Sequence, residues 1–241
     1  MAWKSRRRRG RPAWPAVLVL SGIPAASSAA EPPVQAALRY FIHEDGPGLM
    51  TRLDAVRPSP VGSEERARVL ATLPRDGEVL ALSPAERARI AAARRMLELH
   101  ERDAVYVVKV IEVPQAAVAL HGRTVVLVSR PALGLLRADE LQALVAHEIG
   151  HEYFWHEYLE ARRDHDRARL QTLELLSDGL AVVTLRRAGI GHMHLLSALE
   201  KMVRYNRHRF GPALNEKDYP ALGERRRFVD HLAQWLARTI E

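Results

Sequence analysis

His147-Glu148-Ile149-Gly150-His151 is the stretch on which the reading of this chain turns. On a helix, residues four apart share a face about one turn apart, so two imidazoles can reach one cation. Glu148 falls one residue round from His147, at the edge of that face. There it can take a proton from a water at the metal instead of ligating. A catalytic zinc needs three protein ligands and one open position. His156 lies five residues past His151, about 140° off the ligand face, and reads as a surface residue. Glu174 is the better third ligand. It sits on the next predicted helix, with Asp178 four residues on along the same face. Asp178 is placed to accept from the other ring nitrogen of His147, which fixes the tautomer and raises ligand basicity. The neighbours Leu173, Leu175, Leu176, Leu180 and Ala181 read as buried, and a buried acid pair wants a cation. The plainer reading of the motif alone is an exposed helix face that happens to carry two histidines.

Outward from the motif, Asp139-Glu140 opens a helix running to about Glu160, its acids suited to the helix dipole. Ala104–Val113 and Arg123–Ser129 are rich in β-branched residues and read as strands, with His121-Gly122 turning into the second. Ser83-Pro84-Ala85-Glu86 is a helix start with a cap, a proline at the first position and a capping box, and the helix runs to about Arg102. Further helices are expected at Ser63–Leu73, Leu170–Ala188, Leu195–His208 and Gly223–Ile240, and a short one at Gln35–Ile42. The fold class is α+β, a small sheet packed on a helical majority.

From about Val105 to Val229 the chain resembles the gluzincin zinc metallopeptidases of the CAAX prenyl protease, HtpX and BepA type. The resemblance is carried by two strands around a Gly turn, then Asp139-Glu140-Leu141 and the H-E-x-x-H helix. It continues in Glu174-Leu175-Leu176-Ser177-Asp178, with Ser for the family's Ala, in Leu199-Glu200-Lys201, and in Tyr219-Pro220-Ala221-Leu222-Gly223-Glu224-Arg225. The resemblance implies a zincin-like domain with one Zn²⁺ per chain on His147, His151 and Glu174. It also implies Glu148 as general base, with Tyr219, in the place of the family histidine, or Arg225 steadying the oxyanion. Arg225 is equally readable as a surface charge in the run Arg225–Arg227. The family's Asn-Ala pair on the substrate-facing strand reads Pro114-Gln115-Ala116-Ala117 here. His192 and His194 read as solvent-facing, Tyr153 and Trp155 as packing residues, and Arg162–Arg169 as a solvated stretch.

The composition narrows the alternatives. Among 241 residues there is no Cys, which excludes a disulfide scaffold, thiolate metal ligands and a Cys nucleophile. The net charge of +7 suggests nucleic acid until its location is considered. Lys4, Arg6, Arg7, Arg8, Arg9 and Arg11 supply six of the 36 basic residues, and residues 1–30 hold no acid. That leaves 30 bases against 29 acids, a net of +1 for the body and a poor match to a polyphosphate. Residues 1–30 run basic (Lys4–Arg11), apolar (Ala13–Ile23), then small (Ala25–Ala30), the layout of a signal peptide. A retained amphipathic anchor and a disordered basic tail are the other readings of the same residues. The apolar run is shorter than the roughly 20 residues that span a bilayer.

The expected organisation is a signal peptide at 1–30, a Pro/Gly-rich N-terminal arm with short helices at 31–82, and a zinc metallopeptidase domain at 83–241. The expected function is a metalloendopeptidase exported from a bacterial cytoplasm, periplasmic or secreted and engaged in protein quality control of the cell envelope. It would act on unfolded or extended polypeptide lying beside an edge strand, 104–113 or 123–129. No nucleic acid and no transmembrane span in the mature chain are expected, with peripheral membrane contact left open. The alternative is a catalytically idle zinc protein that holds unfolded envelope polypeptides, against which the intact Glu148 argues.

Overall fold

The computed structural model describes residues 31–42, 49–73, 81–212 and 216–239. The leader at 1–30 lies outside the described residues, as do parts of the arm.

Three short helices, α1 (Pro33–Phe41), α2 (Leu49–Ala55) and α3 (Ser63–Thr72), precede α4 (Pro84–Leu99). Then come β1 (Val107–Ile111), β2 (Val118–His121) and β3 (Val125–Ser129). The helices α5 (Arg130–Leu135), α6 (Ala138–Tyr153), α7 (Trp155–Arg163), α8 (Arg167–Ala188), α9 (Met193–Phe210) and α10 (Leu222–Thr239) complete the chain. The architecture is α+β, helices dominating over one three-stranded sheet.

Local signals set several boundaries. Ser83 caps α4: its Oγ accepts from Glu86 N at 3.3 Å, and its own N–H donates to Glu86 Oε2 at 2.7 Å, an arrangement that contributes about 1 kcal/mol. Gly189 closes α8 in the left-handed region at φ 70°, where a side chain would be strained. Phe154 breaks the helix expected to run to Glu160 into α6 and α7.

The strand order is β1-β3-β2. β1 runs parallel to β3, Val107 opposite Val125, and β2 antiparallel to it, Val118 opposite Val128. Gly122 and Arg123, both at φ 55°, make the tight β2–β3 turn, which closes with Thr124 N–H donating to His121 O at 3.2 Å. This corrects one expectation. The strand at 123–129 is the central strand, and the edges are β1 and β2. β2 escapes sequence reading because it is four residues long and half of it is Ala119 and His121, which carry no strand signal.

α6 is the middle of the fold, buried along nearly its whole length and packed by α8, α4, α9 and β2. Glu140 ties its first turn to α9, accepting from Ser197 Oγ and Lys201 Nζ at 2.7 Å each. Burial alone would raise this carboxyl, but the Arg137 N–H, Lys201 and Ser197 hold it down at about 2. Lys201 thus has a defined partner.

The arm belongs to the same core. Ala37 and Phe41 of α1 are fully buried against α8 and α10, and Leu49, Leu53 and Val61 follow them in. Phe41 lies over Gly179, where any Cβ would overlap its ring. Farther on, Arg102 donates to Pro58 O and Arg123 to Ser59 O at 2.6 Å, while both arginines pair with the buried Glu152. Among the described residues no helix is long and apolar enough to cross a membrane.

Candidate metal centre

The centre lies between α6 and α8. Their backbones approach closely at Gly150, where an added Cβ would stand 2.6 Å from Ser177 Cα. Glycine here lets the two helices close until their polar side chains meet. His147 and His151 rise from α6 with ring centroids 4.8 Å apart and planes nearly perpendicular. Glu174 enters from α8. His147 Nε2 is 3.5 Å from its Oε2, and His151 Nε2 is 3.6 Å from its Oε1. One ligand atom from each of the three lies within 4.8 Å of the others. Ligand atoms arranged tetrahedrally about a zinc ion at about 2.05 Å are about 3.3 Å apart. The two His–Glu separations, each to a different carboxylate oxygen, are close to that value, and the wider bound on the whole set means that the side chains would draw in around an ion.

The charge balance favours a cation as well. Glu174 and Asp178 are both buried. Burial opposes their ionisation, yet His151, His147 and Arg225 lower Glu174, and Arg225 and His147 hold Asp178 at about 2. Burial by itself would push His147 down, but the Asp178 and Glu174 carboxylates override it and lift the ring to about 9. His151 falls to about 4, through burial first and with Glu174 opposing. These two buried carboxylates face Arg225 and the protonated His147 ring, whose Nε2 proton holds the place that a metal ion would take.

Behind the ligands stands a row of α8 side chains. Asp178 Oδ1 lies 2.9 Å from His147 Nδ1, but off the line of the ring N–H. Ser177 Oγ is 3.3 Å from His151 Nδ1. Arg225, from α10, is buried and clamps Asp178, Nε to Oδ2 at 2.7 Å and Nη2 to Oδ1 at 2.6 Å. Its Nη2 is also 3.7 Å from Glu174 Oε2. The guanidinium therefore faces the centre through a carboxylate.

Glu148 is buried beside His147, and its Oε2 accepts from the Leu120 N–H of β2 at 2.7 Å. Burial lifts its carboxyl to about 7, with the positive charge of His147 pulling the other way. A cleft of about 1080 Å³ opens over these groups. β2 forms one wall, Trp155 and Tyr158 another, and Met202 and Asn206 of α9 a third. Tyr219 stands on its rim, 40% exposed as a residue. Its hydroxyl is nonetheless shielded, and burial first, then Glu174, raises its pKa. Among the described residues, none from 31–82 lines the cleft.

Several positions fall outside this constellation. His156 is exposed on α7. His192 faces Asp230 at 3.6 Å and His194 faces Asp139 at 3.7 Å, neither in the cleft. Tyr153 is buried with its hydroxyl on His100, whereas Trp155 and Arg162 line the cleft. Sequence reading gave no role to Asn206 or to the Leu120 N–H. Asn206 holds Ala116 like a strand partner, Oδ1 accepting from its N–H and Nδ2 donating to its C=O, both at 2.8 Å. Its only sequence signal is the spacing Leu199, Met202, Asn206, which shares one face of α9.

No protein-family model matches the chain, and no curated protein matches it.

Proposed function

We propose that the protein is a zinc-dependent endopeptidase of zincin-like fold, related to the gluzincins its motifs resemble, acting on extended segments of unfolded polypeptide outside the cytoplasm. The observation that carries this reading is the meeting of His147, His151 and Glu174 from two helices, with the Glu148 carboxylate beside them at the foot of an open cleft.

Held by His147, His151 and Glu174, zinc would polarise the scissile carbonyl and make the attacking water more acidic. Glu148 takes the proton of that water and returns it to the leaving amine. Its Oε2 is held by Leu120 N–H, which leaves Oε1 as the atom for proton transfer. Tyr219 is the group we assign to the developing oxyanion, because both forward nitrogens of Arg225 are already committed to Asp178.

β2 suits the substrate's backbone. Residues 117, 119 and 121 pair toward β3, so the N–H and C=O of Val118 and Leu120 point away from it. Asn206 occupies Ala116 and Glu148 occupies the Leu120 N–H, and this leaves Val118 as the position we take for the docking register. Export and a role in the envelope rest on the leader's layout alone.

The test is metal content together with cleavage of an unfolded protein such as reduced, denatured α-lactalbumin. Wild type should carry about one zinc per chain and produce new fragments. Glu148→Gln should keep the zinc and lose cleavage by at least about 10²-fold. Equal handling of the substrate by both proteins, without fragments from either, rejects the peptidase.

A further inference from the structure

We infer that Ser177 is a positioning residue for the second metal-ligating imidazole: its hydroxyl accepts the His151 Nδ1–H and so keeps His151 Nε2 unprotonated and aimed at Glu174. This rests on the reading of His147, His151 and Glu174 as a metal set.

Ser177 is fully buried where α6 and α8 pack closely, its Cα facing Gly150. A Cβ added at Gly150 would stand 2.6 Å from the Ser177 Cα and 2.9 Å from its Cβ, so the two helices meet here with no space between them. Its Oγ makes two contacts, 3.0 Å to Leu173 O and 3.3 Å to His151 Nδ1. A hydroxyl has one proton and two lone pairs. The Leu173 carbonyl can only accept, and it is the nearer partner, so the proton goes there. A lone pair is left facing His151, and only a protonated Nδ1 can use it. The ring is then a donor at Nδ1 and an acceptor at Nε2, the atom 3.6 Å from Glu174 Oε1. Tyr158 packs edge-on against the same ring, centroids 5.2 Å apart, and limits its rotation from the other side.

Consecutive residues of α8 therefore serve the two imidazoles differently. His147 faces the anionic Asp178, itself clamped by Arg225, while His151 faces a neutral hydroxyl anchored on its own helix. A neutral acceptor adds orientation with little added basicity. An alanine, which the motif otherwise tolerates, would fill the same space beside Gly150 and leave Nδ1 without this partner.

The experiment uses the full chain stripped of metal and titrated with Zn²⁺ against a chromogenic chelator, as wild type and Ser177→Ala. The variant should bind Zn²⁺ about tenfold more weakly, and its Co²⁺ derivative should show an altered d–d spectrum. In the metal-free wild type, ¹⁵N spectra of the His151 ring should show the Nδ1–H tautomer; in the variant, Nε2–H should gain. A merely structural serine would shift the melting temperature and leave the tautomer alone. A variant dissociation constant within twofold of wild type overturns the inference. So does an Nε2–H tautomer in wild type, a result that does not depend on the variant folding. If wild type binds no Zn²⁺, this inference and the peptidase reading fall together. If wild type binds Zn²⁺ and cleaves while Ser177→Ala matches it, only this inference falls.

Discussion

Arg225 and Asp178, 47 residues apart in sequence, meet through two parallel hydrogen bonds of 2.7 and 2.6 Å in the interior of the protein. The same carboxylate lies 2.9 Å from His147 Nδ1, so the pair joins α10 to the α6 imidazole through α8. Without Arg225, Asp178 would be a buried charge with only the titratable His147 ring to balance it. Arg225→Met should therefore cost about 3–5 kcal/mol, the range for breaking one side of a buried pair. Arg225→Lys should recover only part of that, since an ammonium cannot supply the two-pronged contact. Urea denaturation of the metal-free proteins measures both, and a loss under about 1 kcal/mol for the methionine variant counts against the pair.

Gly150→Ala should force α6 and α8 apart at the metal centre. Its Cβ would sit 2.6 Å from the Ser177 Cα and 2.9 Å from its Cβ. Backbone cannot step aside as a flexible side chain can, so α6 and α8 must separate. Overpacking of this kind costs about 1–3 kcal/mol. Zn²⁺ affinity should drop in the same variant, because the separation moves His151 from Glu174. Calorimetric melting and chelator competition read the two effects. A variant with wild-type zinc affinity would show that the close approach does not set the ligand spacing.

Asn206→Ala tests whether the cleft wall is held from α9. Two hydrogen bonds to part-buried backbone at Ala116 are lost, at about 0.5–1.5 kcal/mol each. The expected result is a rise of about tenfold in KM with kcat and zinc content little changed, as the strand proposed to pair with substrate loosens. A fall in kcat at constant KM would mean that Asn206 acts on the chemistry instead.

His100 makes stability depend on acid far from the cleft. It is buried, with Nε2 donating to Thr184 Oγ1 at 2.8 Å and Nδ1 accepting from Tyr153 hydroxyl at 3.1 Å. Thr184 passes its own proton to Leu180 O at 2.8 Å, which fixes that order. Burial first, then Arg187, Arg57 and Arg102, lowers the ring to about 4 from 6.5. A folded-state value below the unfolded one means that the unfolded chain takes up the proton first as pH falls. The contribution is complete above about 6.5 and is lost between there and about 4, up to roughly 3 kcal/mol in all. His100→Gln should be less stable at pH 7.5 and show a shallower decline between pH 6.5 and 4. Parallel stability curves for the two proteins over that window would assign the acid sensitivity elsewhere.

The faces of α6 and α8 were readable in sequence because helical spacing alone decides which residues share a side. His147 with His151, and Glu174 with Asp178, needed only the 3.6-residue period and a short connection to be brought near one another. What joins them to the rest was not readable. The Arg225 clamp and the Asn206 hold on Ala116 are contacts across 47 and 90 positions, and nothing local distinguishes either residue from one that faces solvent. β2 has too few strand-forming residues to register, so of the two edge candidates 104–113 and 123–129 only the first is an edge, and the second edge, β2, goes unread. Ser177 stands out in sequence as a departure from the alanine of the family that the motif resembles, but its use follows only from the 3.3 Å between its oxygen and His151 Nδ1.

The seating of Phe41 over Gly179 bears on how the molecule can be dissected. Aromatic and glycine fit together as plug and socket, with Phe228 closing the third side at 6.2 Å between ring centroids. A recombinant fragment starting at residue 83 would retain every proposed ligand yet leave that socket gaping beneath the helix that bears Glu174. Anyone trimming the gene for expression should start ahead of Pro33, for the shorter product is expected to be sticky, loosely packed and poor at retaining zinc.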